Sequence, residues 1–252
     1  MKLIVIVNNK GGVGKTTSVV NLAYSFSQAE KKVLLVDLDP SASASIHLGF
    51  DKTKDKFLTI CDYLVDRNQN IKNCIHKYSD NFDVLPSELL LADLYQEILN
   101  DEEDKQLIKR EALNLGYDLV LFDSPPNTGN LAFNSLSISD FVLIPVQVQY
   151  SAISGLQITL DTVDKIKRHF NSNLKILGMF ATYFDKRIKV SSEVLELLKQ
   201  QYGKLVLNST IGVNSKLIEA YNNQKTVFEY SSNAKGAYDY NTLAEELLVM
   251  IK

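Results

Sequence analysis

The sequence predicts an α/β fold in which a twisted, mostly parallel sheet carries helices on both faces. Aliphatic runs of strand length alternate with segments of helical periodicity along all 252 residues, which is the pattern of strands joined by crossover helices. With 45% hydrophobic residues, a chain of this length can bury one large core. We therefore expect residues 1–252 to form a single domain.

Seven segments are predicted as strands because each is a short aliphatic or aromatic run. They are residues 3–7, 33–37, 82–85, 119–123, 141–145, 176–183 and 205–207. Apolar residues at helical spacing predict helices over residues 16–28, 153–170, 191–202 and 236–252. The last helix carries acidic residues opposite its apolar face, so we expect it to pack on the sheet and not on a membrane. The apolar face consists of Tyr240, Leu243, Leu247 and Ile251.

Composition excludes several classes of protein. No apolar run approaches the 18 or more residues of a membrane span, and Met1 and Lys2 lead directly into the first strand. We therefore expect a cytoplasmic protein. Cys61 and Cys74 form no C-x-x-C pair, which disfavours a metal or cluster site. A net charge of −3 and a pI near 5.7 do not by themselves indicate a nucleic-acid binder.

The first predicted strand runs into a segment, residues 10–17, that reads Lys-Gly-Gly-Val-Gly-Lys-Thr-Thr. A strand, a glycine-rich turn and a helix N-terminus direct backbone N–H groups at one small volume where phosphates bind. Lys15 is expected to reach the β and γ phosphates and Thr16 to bind Mg²⁺. Asn9 stands where the G-x-x-x-x-G-K-[ST] motif has its first glycine. The residues expected to contact a nucleotide triphosphate are Gly11, Gly12, Val13, Gly14, Lys15, Thr16 and Thr17.

Carboxylates follow two of the predicted strands. Asp123 ends the strand at 119–123, at the edge where open α/β sheets bind ligands, and we expect it to hold Mg²⁺ directly or through water. Residues 124–129 after it are expected to sense the γ-phosphate. Asp37 and Asp39 end the second strand two residues apart, so alternation places them on one side. Such a pair is suited to supporting a metal site from outside its direct ligands and to orienting water.

These segments together resemble the ParA/Soj family of deviant Walker-type partition ATPases. The resemblance rests on the segment at 10–17, on Asp-Leu-Asp-Pro at 37–40 and on Phe-Asp-Ser-Pro-Pro at 122–126. It continues through Leu-Ile-Pro-Val-Gln at 143–147, Gly-Leu at 155–156 and Gly-Ala-Tyr at 236–238, and so spans nearly the whole chain. It implies a P-loop NTPase fold, ATP and Mg²⁺ as cofactors, and a homodimer in the ATP-bound state.

The resemblance also implies roles for individual residues. Lys10 is expected to act across the dimer on the partner's ATP, and Asp39 to support the attacking water. With Lys15, these form the expected catalytic set. Thr16, Asp123 and Asp37 form the expected metal set. The sequence departs from the family after Asp39, where Pro-Ser-Ala-Ser replaces Pro-Gln-Gly-Asn, and at 211–214, where Ile-Gly-Val-Asn replaces Ile-Pro-Arg-Asn. The first departure bears on hydrolysis, and the second on base recognition and DNA affinity.

Family members bind duplex DNA without sequence preference when ATP closes the dimer, and a ParB-like DNA-binding adaptor triggers hydrolysis. The candidate DNA contacts are Lys186, Arg187, Lys189 and Lys216, with Lys235 a weaker candidate. The resemblance thus implies plasmid or chromosome segregation by a nucleoid-associated protein. Two alternatives stay open: a MinD-like ATPase on a membrane, which the acidic last helix disfavours, and an orphan relative that positions a protein cargo.

Overall fold

We analysed a computed structural model that describes residues 1–66, 68–97, 111, 114–125 and 130–251. Residues 126–129 of the predicted phosphate-sensing loop lie outside this set. Within it, eight strands form one sheet. They are β1 (Lys2–Ile6), β2 (Val33–Asp37), β3 (His76–Ser79), β4 (Phe82–Leu85), β5 (Leu119–Asp123), β6 (Phe141–Gln147), β7 (Lys175–Phe184) and β8 (Val206–Gly212).

The sheet has the order β3-β4-β2-β5-β1-β6-β7-β8. All neighbouring strands are parallel except β3 and β4, which are antiparallel. This confirms the predicted α/β fold with a mostly parallel sheet. All seven predicted strands are present, some with shifted bounds.

Helices cover both faces of the sheet. In chain order they are α1 (Lys15–Gln28), α2 (Ser43–His47), α3 (Ile60–Val65), α4 (Leu91–Glu97), α5 (Asn130–Ile138), α6 (Ser151–His169), α7 (Lys189–Tyr202), α8 (Ser215–Asn222), α9 (Val227–Tyr230) and α10 (Lys235–Met250). One core layer lies under α6 and α7, and the other under α1 and α10. The apolar face of the last helix is buried there, as predicted; its members are Tyr240, Leu243, Leu247 and Ile251.

Two features of the sheet edges differ from the sequence prediction. Strand β3 was not predicted, because its residues are polar and only partly buried. It pairs with β4 through a tight turn in which Asn81 has a φ of 59°. Strand β8 extends to Gly212 through polar residues. Its edge N–H groups at Asn208 and Ser209 both donate to the Glu246 carboxylate, at 2.9 Å, which satisfies the strand edge without a further strand.

Parallel pairing places the carboxyl ends of the central strands side by side at one edge of the sheet. Asp123 at the end of β5 is in register with Ile6 of β1 on one side and Asp37 of β2 on the other. The two carboxylates therefore end neighbouring strands directly beside the loop that joins β1 to α1. This edge is where we located the candidate site.

Candidate functional site

The loop between β1 and α1 has the backbone of a phosphate-binding loop. Gly12 and Gly14 have φ angles of 72° and 89°, which side chains other than glycine rarely adopt. Gly14 caps α1 without any side-chain hydrogen bond to the helix N-terminus. The first N–H groups of α1 are therefore available to an anion. Asn9 is not among the described residues with positive φ, so glycine is not required at this first motif position.

The Lys15 side chain folds back over this loop and is only 7% exposed. Its Nζ donates long hydrogen bonds to the carbonyl oxygens of Asn8, at 3.2 Å, and Lys10, at 3.3 Å. Burial lowers the pKa of the Lys15 amine, while the charges of Asp123 and Asp39 oppose that shift. The Lys15 ammonium group is thus held inside the loop by two long hydrogen bonds, close to the carboxylates of Asp123 and Asp39.

Thr16 and Asp123 meet beneath the loop. Thr16 Oγ1 donates to Asp123 Oδ2 at 2.8 Å. The other oxygen, Oδ1, is buried and makes no hydrogen bond within the described part of the chain. Burial, followed by the charge of Asp37, raises the pKa of the Asp123 carboxyl well above its usual range. A buried carboxylate oxygen without a donor is a costly arrangement that a cation would relieve.

Asp37 is fully buried, and both its oxygens accept hydrogen bonds. Oδ1 accepts from the Asp39 N–H at 3.0 Å, and Oδ2 accepts from Ser45 N at 2.9 Å and Ser45 Oγ at 2.7 Å. Burial raises the pKa of Asp37 to about 6. These bonds tie the 38–45 loop to the end of β2. The geometry therefore favours a bracing role for Asp37 over the metal-ligand role predicted from the sequence.

Asp39 lies farther out, half-buried, where the loop turns. Its Oδ1 accepts from the Ser41 N–H at 2.9 Å, and the turn continues through Ala42, whose φ is 51°. The Asp39 N–H is held by the Asp37 carboxylate. Asp39 Oδ2 makes no hydrogen bond within the residues the structure describes. Asp39 can therefore present a carboxylate oxygen to water near the phosphate loop.

Lys10 lies at the rim of the site. Its Nζ donates to Ser151 Oγ, in the first turn of α6, at 3.0 Å. Its N–H donates to Asn8 Oδ1 at 2.9 Å, and Asn8 Nδ2 donates to the Pro145 carbonyl at 2.8 Å. Lys10 thus lies in the loop that leads to Lys15 and Thr16 at the start of α1, but its amine contacts the first turn of α6. The contact with Ser151 has no signal in the sequence.

A cavity of about 420 Å³ opens beside the phosphate loop. It lies between Gly14 and Thr17 on one side and the β8–α8 connection on the other, and Tyr183 forms part of its wall. Tyr183 is 45% exposed and has a φ of 54°, an unfavourable backbone conformation for an aromatic residue. Its ring lies 4.0 Å from the position of a Cβ on Gly14. Sequence reasoning missed Tyr183, because its backbone strain cannot be inferred from residue type.

The predicted DNA-contact residues are exposed, except for the half-buried Lys216, and most form local ion pairs. Arg187 forms a bidentate pair with Asp185, with an Nη2–Oδ2 distance of 2.7 Å. Lys189 pairs with Glu193, Lys216 with Glu219 and Lys235 with Asp239. Lys186 is exposed, and among the described residues it has no ion pair. These side chains lie near the ends of β7 and β8, at the same sheet edge as the phosphate loop.

Among the described residues, no helix has both the length and the apolar content that crossing a lipid bilayer requires.

The sequence and the fold match known proteins over nearly the whole chain. Residues 1–176 match the AAA domain family. The chain is 37% identical over 248 residues to the sporulation initiation inhibitor protein Soj of Bacillus subtilis, with 98% of each chain covered. It is 36% identical over 251 residues to the chromosome-partitioning ATPase Soj of Treponema pallidum, covering 98% of this chain and 97% of the relative.

Solved structures agree with these sequence matches. A cobyrinic acid a,c-diamide synthase from Mycobacterium smegmatis, crystallised with an ATP analogue and magnesium, superposes with a TM-score of 0.83 at 27% identity, covering 98% of this chain and 94% of that one. A plasmid partition protein from Borrelia burgdorferi gives a TM-score of 0.74 at 27% identity, covering 99% and 97%. The chain therefore belongs to the ParA/Soj family of partition ATPases.

Proposed function

We propose that this protein is an ATP-dependent partition ATPase that moves plasmid or chromosome DNA by cycling between nucleotide states. The observation that carries the proposal is the Thr16–Asp123 pair under the uncapped N-terminus of α1. The partition role is supported by the Soj relatives, two of which are named as chromosome-partitioning ATPases.

The phosphate loop fits a triphosphate. The N–H groups at the start of α1 lack side-chain caps, and the helix dipole favours negative charge at this position. Lys15 Nζ would exchange its two long hydrogen bonds to carbonyl oxygens for phosphate oxygens, which are stronger acceptors. Phosphate would also favour the charged amine, against the effect of burial on its pKa.

The same site fits Mg²⁺. Thr16 Oγ1 and the unpaired Asp123 Oδ1 are hard oxygen donors at the base of the loop, and proteins hold Mg²⁺ by one or two such groups together with phosphates and water. When bound, Mg²⁺ polarises phosphoryl oxygens and neutralises developing charge. Asp37 supports this site by fixing the backbone that carries Asp39.

Hydrolysis needs an oriented water and positive charge near the transferred phosphate. We assign the first task to Asp39, because its N–H and Oδ1 are held by hydrogen bonds and its Oδ2 accepts none from the described residues. The second task falls to Lys15 in its own chain and to Lys10 from the other chain of a homodimer. Lys10 is at the rim and needs only to leave Ser151 to extend outward.

The cavity beside Tyr183 is the proposed site of the adenine base. It adjoins Gly14 and Thr17 and has mostly apolar walls, which suit a planar heterocycle. The sequence lacks the family's Pro-Arg at 212–213, where Gly212 and Val213 stand. Tyr183 supplies aromatic surface to the wall of the cavity.

DNA binding is proposed for the lysines and the arginine near the ends of β7 and β8. Exposed ion pairs contribute only about 0–1 kcal/mol, so Arg187, Lys189 and Lys216 can exchange their carboxylate partners for DNA phosphates. A dimer would double this charge. We further propose that a ParB-like adaptor stimulates hydrolysis and that the protein is associated with the nucleoid in the cytoplasm.

Measuring the release of phosphate from ATP tests the proposed ATPase activity. The wild-type protein should hydrolyse ATP slowly with Mg²⁺ and lose activity in EDTA, and Lys15→Ala should lose ATP binding. Lys31→Ala, which changes an exposed lysine after α1, is the matched control. Tight ATP binding by Lys15→Ala would show that the phosphate site is misidentified.

A further inference from the structure

We infer that Ser151, Gly155 and Thr159 on α6 form a seat for the Asn9–Lys10 segment, and that Thr159 is its positioning residue. The inference rests on the proposed function, because it concerns how the trans-acting lysine is held. The three residues are spaced by four positions along α6 and therefore share one face of the helix. All three are small, which allows the loop to approach the helix closely.

Thr159 makes the central contact. Its side chain is 2% exposed, and its Oγ1 accepts a hydrogen bond from the Asn9 N–H at 3.0 Å. The same hydroxyl donates to the Gly155 carbonyl at 3.1 Å. The hydroxyl thus donates one hydrogen bond and accepts one, which fixes its rotation. Asn9, the residue that departs from the P-loop motif, is anchored by its backbone and not by its side chain.

Gly155 and Ser151 continue the seat toward Lys10. A Cβ at Gly155 would lie 3.6 Å from Lys10 Cβ, so the lysine stem runs directly over this glycine. Ser151 Oγ then accepts from Lys10 Nζ at 3.0 Å. Helix α6 therefore supports the loop at three points: Thr159 holds the Asn9 backbone, Gly155 lies under the Lys10 side-chain stem, and Ser151 accepts from the Lys10 amine.

Because of this seat, one part of the short loop can bind phosphate while another part is anchored to α6. The turn formed by Gly11, Gly12 and Gly14 belongs to the proposed phosphate site, while Asn9 and Lys10 rest on α6. The exposed bond to Ser151 is the easier to release, whereas the buried bond at Thr159 stays in place. Thr159 then fixes the base from which the Lys10 side chain swings outward.

The first measurement is hydrogen exchange at the Asn9 amide, by NMR on nucleotide-free protein. Thr159→Val keeps the shape of the side chain but removes the acceptor, so exchange at Asn9 should accelerate by about tenfold or more. Thr159→Ser restores the hydroxyl and should exchange within about twofold of wild type. Thr162→Val is the matched control, because among the described residues the Thr162 hydroxyl bonds the Ile158 carbonyl of its own helix and no part of the loop.

The second measurement is steady-state ATP hydrolysis. Thr159→Val should lower kcat by about tenfold while KM for ATP changes by less than about threefold, since a mispositioned Lys10 affects the chemical step more than ground-state binding. Thr159→Ser should retain kcat. Unchanged Asn9 exchange in Thr159→Val, or equal kcat losses in Thr159→Val and Thr162→Val, would overturn the inference. A wild-type protein without ATPase activity would instead overturn the proposed function, and the exchange measurement would still test the seat.

Discussion

Thr16 Oγ1 donates a 2.8 Å hydrogen bond to Asp123 Oδ2, while Asp123 Oδ1 is buried with no donor among the described residues. Asp123 also stands in register with Asp37, a second buried carboxylate. Two buried acids side by side, one of them incompletely bonded, oppose stability in the absence of a cation. The buried carboxylates therefore lower the stability of the fold at the site where the function of the family requires metal and phosphate.

Asp123→Asn should separate stability from ligand binding. Removing the charge beside Asp37 should leave the free energy of unfolding unchanged or raise it by about 1 kcal/mol in nucleotide-free protein. The increase in Tm caused by ATP should no longer depend on Mg²⁺. Thermal unfolding with ATP, in Mg²⁺ and in EDTA, measures both effects. A full Mg²⁺-dependent increase in the variant would exclude Asp123 from the metal site.

Lys10→Ala should leave ATP binding by the monomer nearly intact and abolish dimer formation or hydrolysis. The reason is that Lys10 contributes no side-chain contact to the interior of the phosphate loop and instead lies on Ser151. Equilibrium binding of a fluorescent ATP analogue and phosphate release measure the two properties separately. An unaltered hydrolysis rate would rule out the trans-acting role.

Asp39→Ala should bind ATP and accumulate as a dimer. The substitution removes the outer carboxylate but retains the Asp39 N–H that donates to Asp37, so the loop keeps its anchor. Size-exclusion chromatography with ATP and Mg²⁺ should show a stable dimer. If the variant stays monomeric where the parent dimerises, Asp39 does not serve water activation.

Tyr183→Gly should weaken ATP binding by about five- to 150-fold, because aromatic stacking on a base contributes about 1–3 kcal/mol. Stability should change by less than about 1 kcal/mol, since relief of the strained φ offsets the entropy cost of glycine. Tyr183→Phe should bind ATP as the parent does. Tripolyphosphate, which lacks a base, should bind all three proteins equally; a loss shared by ATP and tripolyphosphate would argue against a base contact.

His47 should make stability depend on pH. Burial lowers the pKa of this residue to about 4; Nε2 bonds the Lys225 carbonyl, and Nδ1 has no partner among the described residues. Because the folded pKa lies below the unfolded value, the unfolded chain binds more protons between about pH 6.5 and 4. The contribution is therefore present above pH 6.5 and is lost as pH falls through this window.

The loss attributable to His47 should be about 2 kcal/mol at pH 5. Urea unfolding at pH 7.5 and pH 5.0 measures it, with His47→Gln as the control that keeps a donor for Lys225. The pH dependence should be smaller in the variant by this amount. Equal pH dependence in both proteins would show that His47 can be protonated without disturbing the fold.

The sequence predicted those parts of the structure that depend on local pattern. Aliphatic runs such as Leu119 to Phe122 located the central strands, and the lysine, glycine and threonine residues of the P-loop predict where phosphate binds. The sequence predicted that Thr16 and Asp123 serve one metal site, and in the structure the two side chains are hydrogen-bonded. Each of these inferences required only residue type, spacing and a general rule of α/β architecture.

The remaining features depend on contacts between distant segments. Asn9 and Thr159 are 150 residues apart, and neither belongs to a motif that would associate them. The three hydrogen bonds to Asp37, which give it a bracing role, arise from the fold of the loop after β2. Strand β3 forms because the β4 edge is available, despite its polar sequence. The hydrophobic periodicity of the sequence does not predict contacts between such distant segments.

The most direct test of the partition account is duplex-DNA binding by the purified protein with ATP, with ADP and without nucleotide, at 50 and 200 mM salt. The account predicts binding only with ATP, and a loss of affinity of at least tenfold at the higher salt, because lysine and arginine contacts release counterions from phosphates. Lys15→Ala should not bind under any of these conditions. DNA binding that is absent with ATP, or equal in all three nucleotide states, would contradict the account.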